Sequence, residues 1–565
     1  MSDSPDKPIN DRLSSLTPEQ RALFEMLRKK KAAPKLDLKP PPVHRRAPAE
    51  HWPLSFDQER LWFLYAMDPR DTAYNIDTVT RLAGRLDVGA LRQAYLEIAR
   101  RHEIWRTRFP TVDGWPVQVI HEEVELDLGF ADLLGLPEER RLPEAHRLLV
   151  EHARHPFVLE EGNLVRASMV RLAEEEHYFV LTVHHIVTDW VTFQIFWGEL
   201  ITLYEAFSGG RPSPLPELPV QYADFSVWQR EWMQGEILET YRRYWTEKLA
   251  GAPLALDLPT DRPRPTVQSR TGDRARIFFD AARANGLKAL ARREGVTLFM
   301  TMLAIYQAVL SRHSGQDIVL VGTANANRNR PEIEPLLGFF LTQLVFCTDL
   351  GGDPTLRELL QRVREVALGA YKHQEMPFSK LVEALQPERD LSRHPVVQVI
   401  LLVLDGHFGK FHSPGLDISA VDIHDETARY EQMIGVWDAP DSIYGWWEFQ
   451  DVLFDPSTIA RQLDSFHLLA DALLENPDRR LSEVPVMTAE ARHQALVAWN
   501  AAGALPVARG TLHGLVAARA AAAPDEIALV HRGKTLTRAG LAARSAAIAR
   551  ALRAAGVGPE ARVAV

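Results

Sequence analysis

A buried-strand pattern that passes directly into a helical pattern is the feature that most constrains the fold of this 565-residue chain. Residues 178–183 are aromatic, aliphatic or β-branched and only Thr182 is polar, which is typical of a buried strand. Apolar residues then recur at spacings of three and four, which indicates one face of a helix: Phe193, Phe196, Trp197, Leu200, Leu203, Tyr204 and Phe207. His184, His185 and Asp189 lie between the two patterns, where rigid elements can present side chains into a cleft.

The two adjacent histidines predict a site with one working imidazole. Adjacent strand residues point to opposite faces, so His184 and His185 cannot both enter one pocket if the strand continues through them. A neutral imidazole can accept or orient a proton on an attacking amine or hydroxyl. Asp189 can fix the loop by pairing with a cation or by capping backbone N–H groups. The alternative is a buried histidine pair with a helix-capping aspartate, but the combination at a strand end favours function.

Composition excludes several classes of protein. With 46% hydrophobic and 25% charged residues the chain is typical of soluble globular domains, and its length predicts three or four domain-sized units. The net charge of −10 argues against nucleic acid as a partner. The single cysteine, Cys347, excludes an internal disulfide framework, and no cluster has the spacing of metal ligands. Because signal and membrane-spanning patterns are missing, we expect a cytoplasmic location.

The first 46 residues have a character of their own. A capping box at Thr17, with Pro18 at the first helical position, predicts a helix that ends in the basic run at 28–31. Prolines at 34 and 40–42 then predict an extended spacer. This arrangement suggests a docking element for another protein, and the alternative is a solvated tail.

Beyond residue 50, strand and helix patterns alternate, which predicts an α/β fold. Residues 224–249 read as one long helical stretch, followed by a proline-punctuated crossing at 251–265. Residues 287–312 are helical by pattern with a break at Gly295, and 317–323 read as a strand. After about residue 508 the chain becomes rich in alanine and arginine.

Six segments surround the His-His-x-x-x-Asp core: SFDQERLW at 55–62, RHEIWRTRF at 101–109, YADFSVW at 222–228, GFF at 338–340, HQEMPF at 373–378 and RDLSRHP at 389–395. In this order they resemble the segments of the condensation domain of nonribosomal peptide synthetases. Each segment alone is weak evidence, but six in order are highly specific. Residues 524–565 resemble the opening of an adenylation domain, whose nucleotide-binding parts are not present here.

The resemblance implies an α/β (α+β) fold of two chloramphenicol-acetyltransferase-like lobes, arranged as a V-shaped pseudo-dimer with a central active-site tunnel. The resemblance divides the chain into five parts. They are a docking helix and linker at 1–46, an N-terminal lobe at 47–235, a C-terminal lobe at 236–490, a linker at 491–508 and the truncated start of an adenylation domain at 509–565. The implied activity is amide bond formation between an acyl or peptidyl thioester donor and an aminoacyl thioester acceptor. Both substrates are carried on the phosphopantetheine of carrier proteins, and no cofactor is bound directly.

The resemblance also assigns roles to the motif. His185 matches the second, catalytic histidine, which hydrogen-bonds the acceptor amine and positions it against the donor thioester; His184 is the first histidine of the same motif. A backbone N–H, that of Trp190, is the expected oxyanion donor. Asp189 is expected to be structural and to pair with Arg328 of the second lobe. Arg60 and the other polar motif residues, Arg106, His102 and Asp224, are expected to form structural salt bridges and hydrogen bonds.

Three positions depart from the family pattern and are assigned to the substrate tunnel. Trp190 stands where the family usually has glycine, so its indole narrows the tunnel or turns away to fill space left by the smaller Val191. Thr342 and Gln343 stand where the family usually has asparagine and threonine. These changes indicate an unusual substrate or lost activity.

The implied partners are an upstream donor carrier protein on another polypeptide, and a downstream acceptor carrier protein and adenylation domain of the same synthetase. Two alternatives stay open. One is a coenzyme-A-dependent acyltransferase, disfavoured by the adenylation-like tail. The other is a catalytically silent condensation-like recruitment platform, disfavoured by the intact His185 and Asp189. Heterocyclisation domains normally replace both histidines with aspartate, and epimerisation domains do not normally precede an adenylation domain.

Overall fold

The computed structural model describes residues 40–123, 128–388, 390–404, 410–413, 415–421, 426–501 and 510–564. The docking helix predicted around residues 17–31 therefore lies outside the described residues. The chain divides into two units, one ending at Met487 and one beginning at Thr488. The predicted site belongs to the first unit.

The first half of that unit alternates strands and helices as the sequence patterns predict. Its elements are β1 (Trp52–Pro53), α1 (Phe56–Met67), β2 (Asn75–Gly84), α2 (Val88–Arg101), β3 (Thr107–Arg108), β4 (Thr111–Val112), β5 (Trp115–Ile120), β6 (Leu128–Asp132), α3 (Glu138–Arg154), β7 (Val165–Ala173), β8 (Glu176–His184), α4 (Trp190–Ser208), α5 (Tyr222–Trp232) and α6 (Gly235–Lys248). The strand and helix read at 178–207 are thus β8 and α4. The long helix read at 224–249 is instead two helices, because Gly235 has a φ of 58°, which a continuous right-handed helix does not allow.

The second half of the unit has the same alternation. Its elements are β9 (Gly272–Phe279), α7 (Ala281–Glu294), α8 (Leu298–Ser314), β10 (Ile318–Asn325), β11 (Thr342–Asp349), α9 (Leu356–Lys372), α10 (Phe378–Leu385), β12 (Val399–Leu404), β13 (Lys410–Ser413), β14 (Leu416–Val421), β15 (Gln432–Ala439), β16 (Ser442–Gln450) and α11 (Pro456–Glu475). The predicted break is present, because Gly295 ends α7 in the left-handed conformation with a φ of 68°. The second unit contains α12 (Ala489–His493), α13 (Leu512–Ala522), the hairpin β17 (Ile527–His531) and β18 (Lys534–Thr537), and α14 (Arg538–Ala554).

Two six-stranded sheets organise the first unit, one for each lobe. The first runs β13-β14-β2-β8-β7-β6 and the second runs β11-β10-β12-β15-β16-β9. The strands β13 and β14 come from the second half of the chain but extend the first sheet, with β14 antiparallel to β2. The two lobes are therefore interlocked.

The hydrophobic cores repeat this interlocking. One large core surrounds β9–β12 and their helices, and the other surrounds β2, β8 and α4. Apolar residues from the loop between β10 and β11 lie in the second of these cores, namely Ile333, Leu336, Leu337, Phe339 and Phe340. Because that loop is buried beside α4, it helps to position the predicted site.

No single helix in the described part of the chain is long and apolar enough to cross a membrane. Helices α7 and α8 meet the length and composition criteria only as a pair, which is bent by 103°.

Candidate active site

The strand β8 ends at the histidine pair. In the antiparallel ladder Asn75 lies opposite His184, and the backbone N–H of His185 donates to Tyr74 O at 2.8 Å. A single 3-10 turn, His185–Val187, then leads to α4. The backbone thus leaves the strand geometry between the two histidines.

The two imidazoles have different surroundings. His184 is 4% exposed and its ring contacts Phe157 edge-on at 6.1 Å. Its Nδ1 accepts the backbone N–H of Ile186 at 3.2 Å. His185 is only half-buried and its ring contacts Phe339 at 4.9 Å. His184 is therefore part of the packing, whereas His185 reaches the edge of the core.

The protonation of His185 follows from one hydrogen bond. Its Nδ1 lies 2.7 Å from Thr188 O, and since a carbonyl can only accept, Nδ1 carries the proton. The neutral ring then presents a lone pair at Nε2. Burial, together with the positive charges of Arg429 and Arg60, lowers the pKa of His185 to about 3. His185 is therefore neutral at physiological pH.

Asp189 begins α4 and binds a cation from the second lobe. Its Oδ1 accepts the backbone N–H of Thr192 at 2.8 Å, which caps the helix. The structure brings together the predicted partners, because Arg328 Nη2 lies 3.1 Å from Oδ1 and 3.3 Å from Oδ2 of Asp189. Asp189 Oδ2 also accepts the N–H of Phe340 at 3.1 Å. Both side chains are nearly inaccessible, at 5% for Arg328 and 2% for Asp189.

Side chains of the first lobe bind the buried segment 336–340 by its backbone. Thr192 Oγ1 donates to Gly338 O at 2.9 Å and accepts from Gly338 N at 3.1 Å. Tyr222 Oη donates to Phe339 O at 2.5 Å. His102 Nδ1 accepts from Leu337 N at 3.3 Å. These bonds hold the segment that places Phe339 against the His185 imidazole.

The close packing of the same segment against Tyr222 requires a glycine at position 338. Gly338 has a φ of 148°, and a Cβ built there would lie 2.1 Å from Tyr222 Cδ2. Any larger residue would strain the backbone and displace the Tyr222 ring.

Three predicted structural residues form the expected polar contacts. His102 Nε2 bonds Glu199 at 3.0 Å, and Asp224 pairs with Arg46 at 2.6 Å. Arg106 donates to backbone carbonyls, among them Ala99 O at 3.2 Å.

Arg60 differs from the expectation. It forms no salt bridge or hydrogen bond within the described residues, and its Nε is buried. Asp57, one turn earlier on α1, is 3% exposed, and burial raises its pKa to about 6, against the charge of Arg60. With a pKa of about 6 this carboxyl is still mostly ionised at neutral pH, so its charge acts on Arg60 although no salt bridge joins the two among the described residues.

The three residues assigned to the substrate tunnel lie at the starts of α4 and β11. Trp190 is half-buried as the first residue of α4. Thr342 and Gln343 begin β11 and are 2% and 7% exposed. Gln343 Nε2 has no hydrogen-bond partner within the described residues.

Sequence reasoning missed the positioning residues around the site. Phe339, Thr192 and Tyr222 lie in or beside recognisable motifs, so their sequence positions were a usable signal. Arg429 and Arg270 lie in no motif and gave no signal. Among the residues the structure describes, no three His, Cys, Asp or Glu side chains are grouped to hold a metal ion.

Comparisons with known proteins agree on one family. A family model described as "Condensation domain" matches residues 48–497. A component of the linear gramicidin synthase of Brevibacillus parabrevis is 41% identical over 515 residues, which is 91% of this chain and 7% of that protein. The chain thus spans a small fraction of the length of this relative.

Solved structures share the fold. The X-domain from teicoplanin biosynthesis, solved in complex with OxyB, has a TM-score of 0.72 and 29% identity, covering 80% of this chain and 99% of that one. The first condensation domain of the calcium-dependent antibiotic synthetase, in complex with a substrate analogue, has a TM-score of 0.65 and 19% identity, covering 78% of this chain and all of that one. The predicted fold of two chloramphenicol-acetyltransferase-like lobes is confirmed. This chain belongs to the condensation domain family of nonribosomal peptide synthetases.

Proposed function

We propose that this chain joins a carrier-bound acyl or peptidyl thioester to the amine of a carrier-bound aminoacyl thioester, forming an amide bond. Amide formation is the known reaction of the family. The observation that carries the proposal is the tautomer of His185, which donates through Nδ1 to Thr188 O and leaves the Nε2 lone pair available. An acceptor amine is an N–H donor and matches that lone pair.

In the proposed reaction His185 Nε2 accepts a hydrogen bond from the neutral amine and directs its lone pair toward the thioester carbon. The N–C bond forms, the C–S bond breaks, and the amine proton ends on the departing thiol. A histidine whose pKa is about 3 holds a proton poorly, so positioning is its larger contribution. The backbone N–H of Trp190, at the N-terminus of α4, is the proposed oxyanion donor.

Asp189 and Arg328 are assigned to positioning. Arg328 also donates to Leu336 O and Asp189 accepts from Phe340 N, so the pair holds the segment at 336–340 beside α4, and Phe339 of that segment contacts His185. The contact restricts the imidazole to one orientation.

The finer assignments are part of the proposal. They comprise the two lobes at 47–235 and 236–490, the linker at 491–508 and the adenylation-like segment at 509–565. They also include phosphopantetheine as carrier of both substrates, a donor carrier protein on another polypeptide, acceptor partners on the same synthetase, and a cytoplasmic location. The resemblance of the motifs and the relatives among nonribosomal peptide synthetases support them.

A second candidate is a recruitment platform without catalysis. The observation that favours it is the similarity to the X-domain, which was solved in complex with OxyB. Under this alternative, removing the His185 imidazole has no effect on function.

Mass spectrometry tests the proposal directly. Donor and aminoacyl thioesters on carrier proteins are incubated with the parent chain, His185→Ala, or His146→Ala, which removes an exposed histidine on α3. The parent and His146→Ala are expected to form the amide at equal rates, and His185→Ala at least about 100-fold more slowly. Equal rates in all three, above the rate without the chain, would contradict the role of His185, and no amide formation above that background would favour the platform.

A further inference from the structure

Positively charged side chains meet around the loop that precedes β2. We define the arginine cluster by three residues: Arg60, Arg270 and Arg429. Two of them come from the second lobe. Arg429 Nε donates to Ala73 O at 2.8 Å, and Arg270 Nε lies 2.8 Å from Asp71 Oδ2. The next residue of this loop, Tyr74, accepts the backbone N–H of His185, so the cluster lies beside the catalytic histidine.

The third member approaches from α1. Gln58 Nε2 donates to Ile186 O at 3.0 Å, which fixes the start of α1 against the 3-10 turn after His185. Arg60 lies on the same helix, and its charge, like that of Arg429, lowers the pKa of His185. The first lobe therefore contributes a third guanidinium near the same imidazole.

Contacts with His394 hold the backbone around Arg429 in place. His394 Nε2 donates to Arg429 O at 2.6 Å, and the His394 ring contacts Tyr430 at 4.7 Å. The side chain thus extends from a fixed point.

Among the described residues, positive charge exceeds negative charge in the cluster. Asp71 neutralises Arg270, and Asp57 offsets part of the charge of Arg60 without forming a salt bridge to it, but Arg429 donates only to an uncharged carbonyl. The acidic residues near Arg429 in sequence that the structure describes are used elsewhere, since Glu426 pairs with Arg154 and Glu431 with Arg264. Unpaired charge in a half-buried site is costly, and a ligand that supplied the counter-charge would remove this cost.

We propose that the arginine cluster binds a carboxylate carried by one of the two substrates, so that the site selects an acyl donor or an aminoacyl acceptor with an acidic side chain. A guanidinium binds a carboxylate through two parallel hydrogen bonds, which favours this anion. The inference rests on the proposed function and names its substrate class. It also agrees with the histidine beside the cluster, because a bound carboxylate would offset the charges that lower the pKa of His185.

The test uses isosteric pairs of pantetheine thioesters. In the donor arm, N-acetylglutamyl and N-acetylglutaminyl donors are compared with an alanyl acceptor; in the acceptor arm, glutamyl and glutaminyl acceptors are compared with an N-acetylalanyl donor. Each pair is measured with the parent, Arg429→Gln, the charge-retaining Arg429→Lys, and the control Arg85→Gln. Arg85 is an arginine of the first lobe whose side chain is 94% exposed.

In one of the two arms, kcat/KM of the parent is expected to favour the carboxylate by at least about tenfold, or about 1.4 kcal/mol. Arg429→Gln should bring this ratio close to one, while Arg429→Lys and Arg85→Gln retain most of it. Equal turnover of acid and amide in both arms would overturn the inference and leave the proposed function intact.

If no pair is turned over, the proposed function is in question, and binding decides the inference separately. Non-reacting analogues, in which an amide replaces the thioester, are then titrated by calorimetry. Tighter binding of a carboxylate analogue that depends on Arg429 supports the inference. Equal or undetectable binding of acid and amide overturns it.

Discussion

The two sides of the candidate site differ in how their charges are balanced. On the Asp189 side, which comprises Asp189, Arg328, Thr192 and residues 336–340, the carboxylate meets a guanidinium at 3.1 Å and two backbone N–H groups. On the His185 side, which comprises His185 and the arginine cluster, positive charge exceeds negative charge, and one imidazole nitrogen accepts no bond from the described residues. Under the proposed function, the side whose polar groups are paired stabilises the fold, and the incompletely paired side binds substrates.

Removing the negative charge of Asp189 should have the largest effect on the free energy of unfolding. Asp189→Asn leaves Arg328 buried without a counter-charge, and we expect it to lower the free energy of unfolding by about 3 to 5 kcal/mol. Urea unfolding followed by tryptophan fluorescence measures this. Glu175→Gln breaks the exposed pair with Arg85 and should change the free energy by less than about 1 kcal/mol. Similar losses in the two variants would show that the buried ion pair contributes no more to stability than the exposed one.

Gly338→Ala tests the backbone attachment on the same side. Its Cβ would meet the Tyr222 ring at 2.1 Å in a strained conformation, so we expect a loss of about 2 to 3 kcal/mol. A crystal structure should show Phe339 displaced from His185. An unchanged melting temperature would mean that the segment at 336–340 adjusts easily, and the attachment would then not control the histidine.

His184, which packs behind the His185 side, should make stability sensitive to acid. Burial and the neighbouring His185 lower the pKa of His184 to about 3, below its unfolded value near 6.5. Between these values the unfolded chain binds more protons, so stability falls as pH falls from about 6.5 toward 3, by up to about 1.4 kcal/mol per pH unit for this residue. His184→Asn should reduce the slope of unfolding free energy against pH relative to the parent. An identical slope would show that His184 is not held neutral.

The smallest expected effect is a stabilisation by a substitution that changes no residue of either side. Gly198 is exposed within α4, and a Cβ there would meet no atom within 4 Å. Gly198→Ala should raise the free energy of unfolding by about 0.5 to 1 kcal/mol without changing the reaction rate. A change in rate would indicate that α4 stability, and not the charge arrangement, limits the site.

Local patterns in the sequence were sufficient to predict β8, α4 and the junction that carries the histidines. Periodicity reports which residues are buried within one element. It missed the break at Gly235, because a left-handed glycine interrupts a helix without disturbing the apolar spacing on either side.

Long-range features could not be predicted from local patterns. The burial of residues 336–340 in the opposite lobe joins segments more than a hundred residues apart. The pairing of Asp189 with Arg328 was expected from family resemblance alone. Arg270 and Arg429 belong to no motif, and only the fold places them beside Tyr74.

The most direct test measures a reaction rate and a stability in the same two variants. For His185→Ala and Asp189→Asn, the single-turnover rate of amide formation and the free energy of unfolding are compared with those of the parent. The account predicts that His185→Ala loses at least about 100-fold in rate and less than about 1 kcal/mol in stability, whereas Asp189→Asn loses at least about 3 kcal/mol in stability. An undiminished rate in His185→Ala would contradict it.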